Sequence, residues 1–128
     1  MPILHVSTNL TDDQITNDFI QRAFEKVVEL TGRPKIAVQV VVNANQKICF
    51  AGSFEPSAFV HLYEIIEYTD DQSRKTAQSL NKFLADELKI NGERIFIIFN
   101  SKSPNSVVRD GQLIGDMLAK MQIAENKS

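Results

Sequence analysis

The chain opens Met1-Pro2-Ile3-Leu4-His5-Val6. A small second residue normally permits removal of the initiator methionine, which would leave Pro2 as the terminus. A terminal proline is a secondary amine on a rigid ring. It becomes a general base near neutral pH when its pKa falls, and an apolar pocket or a nearby cation lowers it. Each unit of that fall is worth about 1.4 kcal/mol between the two protonation states. Many chains begin Met-Pro with no such role, so Pro2 gains meaning only from its surroundings.

The other reactive residue types point to structure. His5 and His61 sit in β-prone runs and are read as structural, with no Ser-His-Asp arrangement and no metal site. Asp12-Asp13 and Asp70-Asp71 each precede a helical pattern, where capping and the helix dipole account for them. Arg74-Lys75 is read as a solvated pair in the first turn of a helix. Cys49 is the only cysteine, which excludes an internal disulfide, a CxxC redox pair and a cysteine-rich zinc site. Its apolar setting, Lys47-Ile48-Cys49-Phe50-Ala51, predicts a buried structural thiol.

The 128 residues fit one domain, 1–128, with an ordinary 43% of hydrophobic residues. A net charge of −2 and the lack of a Lys/Arg run argue against nucleic acid as a partner. The apolar stretches are strand-sized, so membrane insertion is not expected. The start lacks the basic segment and long apolar core of a signal peptide, which predicts a cytoplasmic protein, or one exported without such a signal.

The elements that must position Pro2 read as two copies of a strand–helix–strand unit, about 2–42 and 59–100, with a tail over 112–128. In the first copy Ile3–Thr8 is a strand, and Thr11-Asp12-Asp13 suits a helix entry. Ile15, Phe19, Ala23, Phe24, Val27 and Leu30 then form one apolar helix face. Gly32 suits the left-handed stop and Pro34 bars continuation. Ile36–Val42 reads as an apolar central strand. The second copy repeats the order with a strand from Phe59, a helix from Asp70 closed by Asn91-Gly92, and a buried strand Arg94–Phe99. Ile48–Phe50 reads as a short strand, Val107-Val108 as another between loops, and the tail as a short helix fraying from Glu125. The fold class is therefore α/β: a four-stranded mixed sheet with two helices on one face. Val38, Val40 and Ile97 are expected on the opposite face, too apolar for open water, which predicts a symmetric oligomer.

Several short stretches, in this order and spacing, carry a resemblance that runs from Pro2 to about Gly111. They are Met1-Pro2, Thr8-Asn9, Thr31-Gly32-Arg33-Pro34, Ile36-Ala37-Val38, and Gly52-Ser53-Phe54-Glu55-Pro56 with Ala58. Leu84-Ala85-Asp86-Glu87-Leu88, Arg94-Ile95 and Pro104…Val107…Asp110-Gly111 complete the set. Together they resemble the macrophage migration inhibitory factor and D-dopachrome tautomerase family. The resemblance implies the same duplicated unit assembled as a homotrimer. It also implies a keto–enol tautomerase of small aromatic 2-keto acids, phenylpyruvate- or dopachrome-like, that needs no cofactor.

Residue by residue, the resemblance makes Pro2 the base, with its pKa held below the solvated value. It places Arg33 where the family usually has a lysine, as the cation for a substrate carboxylate. Ile65 matches a position whose backbone lines the pocket, Val107 joins it as a substrate contact, and Phe96 and Ile98 match positions contributed by a neighbouring subunit. The chain departs from the pattern there: Phe96 lacks a tyrosine hydroxyl and Ile98 an asparagine amide, each a donor to developing enolate charge. Val108 and Arg109 replace a glycine and an aromatic near the pocket mouth; Arg109 is either a second anion contact or, the favoured reading, a solvated loop charge. Ser57 and Val60 stand where vertebrate relatives carry a CxxC pair, so a thiol oxidoreductase is not expected. The lost donors favour an alternative: a non-enzymatic, secreted, cytokine-like ligand of a cell-surface receptor with a vestigial pocket.

Overall fold

The architecture was established from a computed structural model, which describes residues 1–127, with side chains through Met121. Strand β1 (Ile3–Thr8) alternates its burial residue by residue, turning Leu4, Val6 and Thr8 inward. Helix α1 (Asn17–Thr31) follows, then β2 (Gln39–Asn43), β3 (Ala58–Glu64), helix α2 (Asp70–Leu88) and β4 (Ile95–Ser101). The sheet order is β2-β1-β3-β4. Each strand–helix–strand unit pairs its own strands in parallel, and β1 and β3 join the units antiparallel, with His5 opposite His61. Leu4, Val6, Val60 and Leu62 meet Phe19, Ala23 and Val27 of α1 and Leu80, Leu84 and Leu88 of α2 in one cluster. Both helices thus cover the same sheet face, as the periodicity predicts.

The helix boundaries differ from expectation for local reasons. Thr11 opens only a short 3-10 turn, Asp12–Gln14, and α1 starts after Thr16, whose side chain accepts from the Phe19 N–H at 3.1 Å. Gly32 ends α1 as predicted, at φ 65°, where a Cβ would be strained. Helix α2 instead ends at Lys89, itself left-handed at φ 56°, and Asn91-Gly92 opens the next 3-10 turn. Asp110-Gly111, both at positive φ, form the tight turn of a hairpin between β5 (Val108–Arg109) and β6 (Gln112–Leu113). Helix α3 (Ile114–Lys127) follows directly and does not stop at Glu125; Ser128 lies outside the described residues.

Further expectations are corrected. The most apolar strands, β2 and β4, lie at the sheet's edges, and the strand expected from Ile36 begins at Gln39. Val38, Val40 and Ile97 pack against the helix-side core; the bare face carries Phe59, His61, Tyr63 and Phe96 in a row of ring contacts 4.6–6.2 Å apart. Residues 48–50 form no strand beyond a single bridge from Phe50 to Ser53, and Cys49 is exposed. That segment borders the bare face, sharing a depression with Phe59 and Phe96.

The loop before β3 is fixed by residues at strand ends. Arg94 donates to the carbonyls of Phe50, Ser53, Glu55 and Pro56, and Asn9 Nδ2 donates to those of Phe54 and Glu55. Thr8-Asn9 and Arg94 therefore hold the loop that delivers the chain into β3.

Candidate functional site

The site is built at the head of β1. Pro2 has no N–H to offer a ladder, so the first position of a strand suits it. It is fully buried, and its carbonyl accepts from the Gln39 N–H at 3.1 Å. Ile3 pairs with Tyr63 across the antiparallel ladder. One further residue of that register sets Pro2 opposite Glu64, the last residue of β3.

Glu64 is the residue that sequence reasoning missed. By the alternation of β3 it points inward with Leu62, and its side chain is only 2% exposed. A carboxylate in such a place needs compensating charge. Two cations supply it: the Met1 amine is 3.5 Å from Oε1, and Arg33 Nε is 3.7 Å from Oε2. The Ile65 N–H also donates to Oε1 at 3.1 Å. Arg33 reaches this point because Gly32 turns the chain sharply out of α1, and its own N–H donates to Thr31 Oγ1. Arg33 Nε, Glu64 Oε2 and the Tyr68 hydroxyl are buried without a hydrogen-bond partner among the described residues.

The electrostatics follow from this cluster. Burial holds the Met1 amine below its ordinary value; Glu64 opposes that fall and Arg33 adds to it. Burial chiefly, with the Glu64 charge, pushes the Tyr68 hydroxyl up.

Beside the charges lies an apolar cleft of about 510 Å³, within the range of small-ligand pockets. Its walls include Arg33, Ile36, Ile65, Ile114, Met117 and Leu118. The last three come from α3. Arg109 stands at the rim, where its guanidinium donates to the Ile36 carbonyl at 2.7 Å and lies 3.8 Å from Met1 Sδ. It lines the cleft and is exposed, as a solvated charge is, but it is in strand β5 and anchored to Ile36.

One chain thus brings Met1, Arg33 and Ile65 to the cleft, with the buried Pro2 next in sequence, and Val107 joins Met1, Glu64 and Ile65 in an adjoining cavity. Phe96 and Ile98 are not brought to this point. They lie on the bare face of β4, where Phe96, 55% exposed, borders a separate depression with Phe59, Phe50 and Cys49. The histidines bond to asparagines: His5 Nε2 is 2.7 Å from Asn43 Nδ2, and His61 Nδ1 is 3.0 Å from Asn100 Nδ2. Among the described residues no group of three His, Cys, Asp or Glu is arranged to hold a metal ion, and no helix is long and apolar enough to cross a membrane.

Comparison with known proteins gives a consistent result. The family profile described as Macrophage migration inhibitory factor matches residues 1–115. A macrophage migration inhibitory factor homolog from Brugia malayi is 32% identical over 115 residues, covering 90% of this chain and all of that protein. The homolog from Trichuris trichiura is 33% identical over 99 residues, covering 77% of this chain and 87% of that one. Among solved structures, the macrophage migration inhibitory factor from Trichinella spiralis superposes with a TM-score of 0.82 at 26% identity, over 86% of this chain and 97% of that one. A homologue from Prochlorococcus marinus shares the fold, with a TM-score of 0.80 at 20% identity, over 88% and 99% of the two chains. Almost all of α3 lies beyond the matched family region.

Proposed function

The chain belongs to the macrophage migration inhibitory factor family, and from that premise we propose that it is a keto–enol tautomerase of small aromatic 2-keto acids with Pro2 as its base. The observation that supports this reading is the place of the terminus: Met1 lines an apolar cleft with Arg33 and Ile65, and the buried Pro2 is the next residue. With Met1 removed, the Pro2 amine takes a proton from the carbon next to the substrate carbonyl, and the proton is returned at another atom. Arg33 and Arg109 are the cations within reach of a carboxylate, and Arg can hold one bidentately. Ile65, Val107 and the side chains of α3 surround the aromatic group. The step moves one proton and calls for no cofactor.

The active assembly is a homotrimer, in which the bare face and the edges of β2 and β4 are covered by neighbouring copies. Phe96 and Ile98 would enter the cleft from such a copy. They bring hydrocarbon in place of donors, and losing one important donor lowers a rate by about 10²–10³. Turnover is therefore slow. The test is intact mass paired with a phenylpyruvate tautomerase assay: a chain beginning at Pro2 with turnover above buffer is expected. A chain that retains Met1, or a mature chain with no turnover, contradicts it.

A second reading rests on the same missing donors: a cytokine-like ligand of a cell-surface receptor with a vestigial pocket. It predicts receptor engagement that survives loss of Pro2, where the enzymatic reading predicts loss of activity.

A further inference from the structure

The proton transfer proposed above makes no use of Glu64, the most deeply buried charge beside Pro2. Its two oxygens face different cations, the terminal amine at 3.5 Å and Arg33 at 3.7 Å. The amine belongs to Met1, one residue from Pro2, and the register of β1 against β3 sets Pro2 itself opposite Glu64. The geometry points to Glu64 as the internal counter-ion of the site, shared between the Pro2 amine and Arg33, that loosens the hold of Arg33 on a 2-keto acid relative to its neutral ester.

This inference rests on the reading of Pro2 as the base. A base acts in its neutral form, and in that form Arg33 and Glu64 cancel. An incoming carboxylate must then share Arg33 with a carboxylate already there, one almost wholly removed from water. Protonating Pro2 would restore a net positive charge and admit the acid, but a protonated Pro2 cannot accept a proton. The competent form thus holds the acid less tightly, relative to its ester, than a site without Glu64 would. The other charged groups around the cluster, Glu67, Lys102, Arg109 and Asp110, are exposed and screened by water, so they weigh on this balance less than the buried Glu64 does. Tyr68, from the β3–α2 connection, is a neutral hydroxyl whose pKa is raised. Lys102, after β4, donates its backbone N–H to the Glu64 carbonyl at 2.7 Å. Arg109, from β5, is exposed and engages the Ile36 carbonyl.

The test uses mature protein with labelled proline, following the Pro2 resonances against pH and measuring Kd for phenylpyruvate and its methyl ester. An opposite charge at this range moves a pKa by about 1–3 units. Glu64→Gln should therefore lower the Pro2 midpoint by about one unit or more, and improve acid binding relative to ester binding about tenfold. If that variant does not fold, Glu64→Asp, which keeps the charge one methylene further back, should move both readings the same way by less. A midpoint that stays or rises, or an unchanged acid-to-ester ratio, overturns the proposal. Neither readout needs turnover, so both effects in a protein without tautomerase activity would sink the proposed reaction and keep Glu64 as counter-ion.

Discussion

Arg33 Nε stands 3.7 Å from Glu64 Oε2, with the carboxylate almost wholly removed from water and the guanidinium one-third exposed. Deleting Arg33 therefore does two things. It removes a cation from the cleft, and it strips a buried carboxylate of a partner. We expect Arg33→Ala to weaken binding of a 2-keto acid more than binding of its methyl ester. We also expect a loss of about 1–3 kcal/mol in stability, less than a fully buried pair because Arg33 keeps its contact with solvent. Paired binding and urea-unfolding measurements check both; equal losses for acid and ester would remove Arg33 from the substrate site.

The row of rings on the bare sheet face predicts the assembly. Light scattering at micromolar concentration should give three times the chain mass. Phe96→Glu puts a charge on the most exposed of these rings and should shift the protein toward monomer. A wild-type monomer, or an unchanged assembly in the variant, would contradict the proposed trimer.

Met117, on α3, lines the cleft alongside Ile65 and Arg33. Met117→Ala should raise KM for an aromatic substrate severalfold and leave an aliphatic 2-keto acid nearly unaffected, since only the larger group reaches that wall. An equal change for both would place the aromatic group elsewhere.

The pH dependence of stability follows from the terminal amine. In a chain that retains Met1, burial holds the folded-state pKa below the ordinary 8.0. In the window just below 8 the unfolded chain then binds more protons, so stability rises with pH through that window and is lost as pH falls through the folded value. An N-terminally acetylated chain lacks the group. The difference between the two chains, measured by urea unfolding from about pH 6 to about pH 9, should grow in favour of the free amine as pH rises. A constant difference would show that the amine is solvated.

Much of this was legible in the sequence because periodicity reports what a helix or strand buries. Phe19, Ala23 and Val27 mark the core face of α1, and Gly32 its end, while Ile15, read with them, lies before the helix. What one sequence does not contain is the neighbour. Val40 and Ile97 read as central because they are apolar, yet they lie on edge strands and lean on the helices. Cys49 read as buried because its neighbours are apolar, and they border the open face. Glu64 was overlooked because a glutamate at a strand's end is ordinarily a solvated cap. Only the pairing of β1 with β3 shows that it faces Pro2 and Arg33. Arg109 is exposed as its sequence suggests, while its partner, the Ile36 carbonyl, is distant in sequence and shows only in the fold.

The central claim is that Pro2 is a base, and its most direct test is the tautomerisation rate of the mature chain against pH, beside that of Pro2→Gly. Glycine keeps a terminal amine and loses the rigid secondary one, at the surface of a core that Leu4 and Leu62 still fill. The account predicts a wild-type rate that rises with pH through the Pro2 titration and a variant that keeps its assembly and loses most of that rate. Equal rates in the two proteins, or a wild-type rate no greater than buffer, would contradict it.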